Sequence, residues 1–353
     1  MGDLVGEGVT SVTNQTNNDD NMTHCDQVDT SAHLFFMPVC SLVFLVGLVL
    51  NSFTMKVYFC SAQQQVSRIM MVYLKNLAVS DFLLCLYLPF RIINYTSTST
   101  TFRLVYCTFG VSPFYLNMYT SILFMGYIAA NRYLKIIHPL GNHILQTVQA
   151  AHIISTVTWV FLLAIMTSYV TLVLLTKPQL TIVPDTCDAL LSAQAVVLYK
   201  IIQTCSAAIF LFVFVSLVFF YYSASRSVLL AQQRQPTSSS CKKLMKSRKK
   251  MLVLVSVFCI CFVPYHLVRL PYTFLRRWCS LSQVLYYLKE TTILLSVLNI
   301  CLDPLIYFIF CEAFRAQLSR PHSKKARRCS EGQPRATNSE ALLSTSTRQT
   351  DGL

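Results

Sequence analysis

Seven stretches of this chain are long and apolar, at about residues 34–59, 69–95, 104–138, 149–175, 195–225, 249–275 and 283–310. Each is long enough to cross about 30 Å of hydrocarbon at about 1.5 Å of rise per residue. Lipid offers the backbone no water to bond with, so each stretch must satisfy its own N–H and C=O groups as a helix. Beta-branched residues such as Val253, Val255 and Val257 do not overturn that. The fold class that follows is an all-α membrane protein, a seven-transmembrane helix bundle. Composition agrees, since charged residues are 12% of the chain and soluble domains carry about 25%. A net charge of +14 alone would suit a nucleic acid. The basic residues lie between and after the apolar runs, however, so no nucleic-acid partner is expected.

The same basic residues set the orientation. Arg226, Arg234, Lys242, Lys243, Lys246, Arg248, Lys249 and Lys250 fill 226–250 with no acid among them. Arg315, Arg320, Lys324, Lys325, Arg327, Arg328 and Arg335 follow the last apolar run. The positive-inside rule places both segments in the cytoplasm. Seven crossings then put the acidic N-terminus outside, and a plasma-membrane location is expected. The domains read as an extracellular tail over 1–33, the bundle over 34–310, an amphipathic helix on the membrane surface over 311–319, and a cytoplasmic tail over 320–353. That last segment, rich in Ser, Thr, Lys and Arg, is expected to be disordered. Asn14 and Asn21 open N-x-Thr sequons and are expected to carry glycans.

Most of the fourteen Cys lie inside apolar runs, where thiols act as small hydrophobes. Cys25, Cys107, Cys187 and Cys279 instead fall in polar segments on the outer side, which is oxidising. Four Cys allow three pairings. Asn51, Asp81, Asn117, Asn299 and Asp303 interrupt the apolar runs. An ionised Asp at mid-helix costs about 2.5–3.5 kcal/mol, which points to a polar partner or a bound ion. Asn51 and Asp81 are the natural partners of Asp303. Pro304 removes a backbone bond beside it and permits a kink. These two Asp are the acids expected to be buried. A transporter would need pathway charges on several helices, and an enzyme would need a nucleophile or metal constellation. Only two buried acids are at hand for the transporter, which stays as the rival class, and no nucleophile or metal constellation is present, so no enzyme is expected.

Arg269 and Lys289 stand near the outer ends of adjacent helices, with Tyr115 and Tyr272 approaching the same level. Arg binds phosphate through a fork and Lys as a point charge. Aromatic rings beside them can stack a base or pack a lipid chain. A small anionic extracellular ligand is therefore expected.

Several motifs carry a family resemblance. Asn299-Ile300-Cys301-Leu302-Asp303-Pro304-Leu305-Ile306-Tyr307 resembles the N/D-P-x-x-Y element of rhodopsin-type G-protein-coupled receptors. Gly47 with Asn51, Leu77 with Asp81, and Trp159 match that family's first, second and fourth helices. Asn131-Arg132-Tyr133 resembles its D-R-Y triplet, with Asn in place of the acid. Phe258-Cys259-Ile260-Cys261-Phe262-Val263-Pro264 resembles its F-x-x-C-W-x-P switch, with Phe262 in place of Trp. The resemblance implies a heterotrimeric G protein of the Gi type, receptor kinases and arrestin as partners, beside membrane lipids. It also implies no cofactor other than an allosteric sodium ion at Asp81 and Asp303, within a polar network with Asn51 and Asn299. In the family an acid holds the Arg of the triplet at rest, so Asn131 predicts a weaker lock and raised basal signalling.

Within that family, His266-Leu267-Val268-Arg269-Leu270-Pro271-Tyr272-Thr273 and Lys289-Glu290-Thr291-Thr292 resemble elements of the Gi-coupled purinergic group. Phe114-Tyr115 through Ile122 adds a third. This likeness covers about 34–319. It implies disulfides Cys107–Cys187 and Cys25–Cys279. It also implies ligand contacts at Arg269, Lys289, Tyr115, Tyr272 and His266, with Tyr199 and Gln203 from the fifth helix. The expected ligand is a nucleotide or nucleotide sugar. Lysophospholipid receptors share much of the pattern, as do orphan receptors, and loss of the triplet acid also fits a decoy. A nucleotide reading predicts a water-accessible pocket rich in Tyr, and a lipid reading predicts a lateral opening between helices.

Overall fold

The computed structural model describes residues 33–60, 68–97, 99–137, 146–176, 187, 191–234, 238–275 and 279–310. The cysteine at 25, the sequons at Asn14 and Asn21, the side chain of Cys279, and segments 311–319 and 320–353 lie outside what is described. The described chain forms α1 (His33–Cys60), α2 (Arg68–Thr96), α3 (Ser112–Ile137), α4 (Val148–Leu175), α5 (Ala193–Arg234), α6 (Ser239–Leu275), α7 (Cys279–Val297) and α8 (Asn299–Phe310). The last two make one span, broken at Leu298. A short helix, Thr100–Val105, and a π-helical turn, Tyr106–Gly110, lead into α3.

Six of these spans are long and apolar enough to cross a membrane by length and composition. The α3 span falls short of that standard, and its place explains why. It packs against α2, α4, α5 and α6, so protein replaces lipid around much of it. Asn117, Thr120, Ser121 and Asn131 are all buried along it. The opposite case is α4, where Ile153, Val157, Val160 and Phe161 are exposed, as suits a helix whose outer face meets hydrocarbon. Gly126 lets α3 approach α5, for a Cβ there would stand 3.1 Å from Val213 Cγ1.

The basic segment 226–250 is largely helical, since α5 runs on to Arg234 and α6 starts at Ser239. The apolar runs alone ended at 225 and began at 249. Packing between the two extensions accounts for the difference. Val228 and Cys241 are buried there, and Gln232 Nε2 donates to Met245 Sδ at 3.7 Å.

The inward-facing polar groups tie the helices together. Pro304 has no N–H, which frees the carbonyl of Ile300 one turn earlier. Asn51 Nδ2 donates to that oxygen at 2.8 Å and to Gly47 O at 2.9 Å. Gly47 is needed at this crossing, because a Cβ there would lie 2.6 Å from Ile300 Cδ1. Tyr307 donates its hydroxyl to Asp81 Oδ2 at 2.8 Å, and Asn117 Nδ2 donates to Asp81 Oδ1 at 3.2 Å. Asn299 Nδ2 donates to Asp303 Oδ2 at 3.0 Å and to Ser121 Oγ at 3.2 Å. Trp159 Nε1 fastens α4 to α2 through Asn76 Oδ1 at 2.9 Å.

Candidate functional site

At the end of the bundle marked by the Cys107–Cys187 disulfide, a cavity opens between α3, α4, α5 and α6. It leaves about 100 Å³ to the centres of water molecules. The disulfide itself forms part of the wall and holds residue 187 against the turn before α3, with 5.1 Å between the Cα atoms. Tyr115 and Tyr119 come from α3, Tyr169 from α4, Tyr199, Gln203 and Ser206 from α5, and Arg269 from α6. Much of the remaining wall is apolar, with Phe161, Leu162, Ile165 and Met166 on α4 and Ile202 and Ile209 on α5.

Arg269 is buried, and its Nη2 donates to the hydroxyl of Tyr115 at 2.5 Å and to that of Tyr199. Its guanidinium carbon lies 5.8, 5.5 and 5.4 Å from the ring centroids of Tyr115, Tyr199 and Tyr272. The Tyr115 and Tyr199 hydroxyls hold the cation as acceptors, and the Tyr272 ring adds its quadrupole. Lys289 Nζ sits 5.0 Å from the same Tyr272 ring and 4.6 Å from that of Tyr286. One aromatic ring thus stands against both cations. Arg269, Tyr115, Tyr199 and Gln203 line the cavity, whereas Tyr272 and Lys289 are joined to Arg269 by ring contacts and do not line it.

A second cluster adjoins Lys289. Glu290 accepts from Arg91 Nη2 at 2.8 Å through Oε2 and lies 3.1 Å from Lys289 Nζ through Oε1. Tyr95 donates its hydroxyl to Glu290 Oε2 at 3.1 Å and accepts from Arg91 at 3.0 Å. Asp81 and Asp303 are therefore not the whole set of buried acids, because Glu290 is also buried. Two cations and a phenol make that burial tolerable. The sequence signal that could have found this pair is the cation Arg91 near the end of an apolar run.

His266 does not line the cavity. It is buried beneath it, with Nδ1 2.8 Å from Phe262 O and Nε2 3.4 Å from the hydroxyl of Tyr119. Its ring lies flat on Phe210, 3.8 Å between centroids and 4° between planes. Phe262 is fully buried and meets Phe258 edge-on at 5.4 Å, with Pro264 just beyond it in α6.

At the opposite end of the bundle, Asn131 is buried and its Oδ1 accepts no hydrogen bond from the described residues. Arg132 lies over the ring of Phe310 at 4.9 Å, and Lys250 over the same ring at 5.4 Å. Tyr133 stacks on Phe220 at 4.8 Å.

Comparison with known proteins agrees with this arrangement. The family described as 7 transmembrane receptor (rhodopsin family) matches residues 50–307. Purinoceptor 14 of Bos taurus is 32% identical over 283 residues, which is 79% of this chain and 82% of that one. G-protein coupled receptor 87 of Mus musculus is 32% identical over 297 residues, 82% of this chain and 81% of the relative. Lysophosphatidic acid receptor 6 of Gallus gallus is 29% identical over 292 residues, 81% of this chain and 93% of the relative. With the helical bundle, the disulfide and the Asn-x-x-x-Asp-Pro-x-x-Tyr network in place, the chain belongs to the rhodopsin family of seven-transmembrane, G-protein-coupled receptors, in the group of the purinoceptors and lysophospholipid receptors.

Proposed function

We propose that this receptor stands in the plasma membrane with its N-terminus outside, takes a phosphate-bearing nucleotide or nucleotide sugar at Arg269, and activates a Gi-type heterotrimeric G protein. The observation that carries the reading is the setting of Arg269, a buried guanidinium held by the hydroxyls of Tyr115 and Tyr199 and facing a cavity. Those phenols orient the fork before a ligand arrives, which lowers the ordering cost of binding. Lys289, 5.0 Å from the Tyr272 ring, supplies a second positive charge for a polyphosphate. Two of the relatives carry the names purinoceptor and lysophosphatidic acid receptor, and both names fit an anion site.

A lysophospholipid is the second reading, and one observation favours it. The α4 side of the cavity is apolar, and Phe161 on its rim is 46% exposed on the lipid-facing surface. An acyl chain entering from the side would lie there with its phosphate at Arg269. A Gi-activation screen of nucleotides, nucleotide sugars and lysophospholipids separates the two, with Ile165→Trp as the discriminating variant. Added bulk at Ile165 is expected to abolish a lipid response and to spare a nucleotide response.

Sodium at the Asp81 and Asp303 pair is part of the same proposal. Asp303 Oδ1 and Asn299 Oδ1 are buried acceptors without a hydrogen-bond donor among the described residues. Oxygen atoms of that kind suit a hard cation. Glycans at Asn14 and Asn21, a Cys25–Cys279 bridge, and receptor kinases and arrestin acting on the Ser and Thr of 337–350 complete the expected set.

A further inference from the structure

Three lysines at the start of α6 share a side with its lipid face. Five turns of α-helix take about 18 residues, so Lys242 points the same way as Ile260, and no proline interrupts α6 between them. Lys246 and Lys249 fall within about 40° of that direction. Ile260, Leu267 and Phe274 are 53%, 69% and 54% exposed, and mark the face of α6 that meets hydrocarbon. Lys242, Lys246 and Lys249 are exposed as well. The bundle side of the same stretch carries Cys241, Met251 and Leu254, all buried. Lys250, one residue beyond the stripe, turns inward over the Phe310 ring instead. The stripe therefore looks outward over the bilayer and away from Arg132 and the inner mouth of the bundle.

Depth gives the second constraint. Leu252, also exposed, and Phe274 bound a stretch of α6 about 33 Å long, close to the ~30 Å of a hydrocarbon core. Lys249, Lys246 and Lys242 then stand about 5, 9 and 15 Å beyond Leu252 along the helix. The first two lie at headgroup depth and the third lies past it. A headgroup with one phosphate at the bilayer surface meets only the nearest of them. An inositol ring bearing further phosphates rises above its neighbours and meets all three. The segment 226–250 holds no acid, so its charge is positive throughout.

We propose that Lys242, Lys246 and Lys249 form a binding site for a membrane lipid whose headgroup carries several phosphates, a polyphosphoinositide of the cytoplasmic leaflet. Each ammonium meets a phosphate as a point charge, and cations next to a membrane span draw anionic lipid to them. The acyl chains lie along Leu252 and Ile260. The site rests on the orientation that places 226–250 in the cytoplasm, and it is independent of the outer ligand.

The test uses purified full-length receptor in detergent, titrated with phosphatidylinositol 4,5-bisphosphate or with phosphatidylserine, with bound lipid counted by native mass spectrometry. The wild-type chain is compared with Lys242→Gln/Lys246→Gln/Lys249→Gln and with Lys56→Gln/Arg68→Gln/Arg234→Gln. The second variant removes three exposed cations from the same ends of α1, α2 and α5. One lysine near an anionic surface contributes about fivefold, so the stripe variant is expected to bind the bisphosphate about 100-fold more weakly, and the other variant to stay within about threefold of wild-type. Phosphatidylserine, with a single net negative charge, is expected to bind the wild-type chain about tenfold more weakly or worse. Equal losses in the two variants, or equal binding of the two lipids, overturns the proposal. Unchanged bisphosphate binding in the stripe variant, with slower Gi exchange in phosphatidylcholine nanodiscs, gives the stripe to the G protein and also overturns it. Binding in detergent reads the stripe whichever way the chain crosses the membrane, and protease access to 226–250 on intact cells reads the orientation by itself.

Discussion

Arg132 lies over the ring of Phe310, with 4.9 Å between its guanidinium carbon and the ring centroid. Lys250 of α6 meets the same ring at 5.4 Å. The end of α8 therefore joins α3 and α6 where the residue before Arg132, Asn131, has no carboxylate to offer. Cation–π contacts contribute about 0.5–1 kcal/mol each when exposed and about 2 when desolvated. Phe310 is only 2% exposed while Arg132 and Lys250 are half-buried, so about 1–2 kcal/mol applies. Phe310→Leu keeps the apolar volume and removes the quadrupole. Basal Gi exchange is expected to rise about 5- to 30-fold at matched surface expression.

Asn131→Asp should act in the other direction. It restores an acid next to Arg132 and allows a charge-assisted contact that Asn cannot make. Basal exchange is expected to fall, and to fall further from the raised level of Phe310→Leu. Equal basal exchange for Asn131 and Asp at that position would remove the Asn as a cause of raised signalling.

Glu290 is the carboxylate between Arg91 and Lys289, buried with Arg91 and half-covered on the Lys289 side. Removing one member of a buried ion pair leaves an uncompensated charge and costs about 3–5 kcal/mol. Glu290→Ala should lower the thermal unfolding temperature of the purified receptor accordingly. Arg91→Met together with Glu290→Leu removes both members of the buried pair, leaves the more exposed Lys289 to solvent, and should recover much of that loss. A double variant as unstable as the single one would show that the pair acts through packing and not through charge.

Sodium should be felt through Asp303. Its Oδ1 has no donor among the described residues, while Oδ2 accepts from Asn299. Added sodium chloride is expected to lower basal exchange and raise the unfolding temperature of the wild-type chain, relative to choline chloride. Asp303→Asn, which halves the acid content of the pair with Asp81, should abolish the difference between the two salts.

Gly47 offers a purely steric test. A Cβ would lie 2.6 Å from Ile300 Cδ1 and 2.9 Å from Ile300 Cγ1. Gly47→Val must displace the buried Ile300 side chain or part α1 from α8, which strains the Asn51 bond to Ile300 O. A loss of about 1–3 kcal/mol follows from overpacking. Ile300→Ala in the same chain is expected to restore part of it, because it removes the atoms that clash.

The sequence made the bundle legible because lipid leaves few options, and apolar length alone marked most of the spans. It also grouped Asn51, Asp81, Asn299 and Asp303, since mid-membrane acids need partners, but Asn51 directs its amide to the Ile300 carbonyl and Tyr307 is the residue that reaches Asp81. Arg269 and Tyr115 could be brought together from their positions near the helix ends. The Arg91–Glu290 pair was harder to see. Glu290 follows Lys289 directly, so local sequence pairs it with that neighbour, while 199 residues separate it from Arg91. The contact of Arg132 with Phe310 was hidden for a related reason. An aromatic residue in an apolar run reads as core until the cation opposite it is known. His266 shows the limit of motif reasoning, because its place next to Arg269 in the motif suggested a ligand contact, and the turn of the helix puts it under the cavity floor.

The setting of Arg269 is tested most directly by comparing ligand potency in the wild-type, Arg269→Ala and Lys289→Ala receptors in a Gi-activation assay over nucleotides, nucleotide sugars and lysophospholipids. Hydrogen bonds to a charged group contribute about 1.5–3 kcal/mol, so Arg269→Ala should weaken the active phosphate-bearing ligand about 10- to 100-fold. Lys289→Ala should weaken it less, since Lys289 also binds Glu290 at 3.1 Å. Unchanged potency of that ligand in both variants would contradict the anion site.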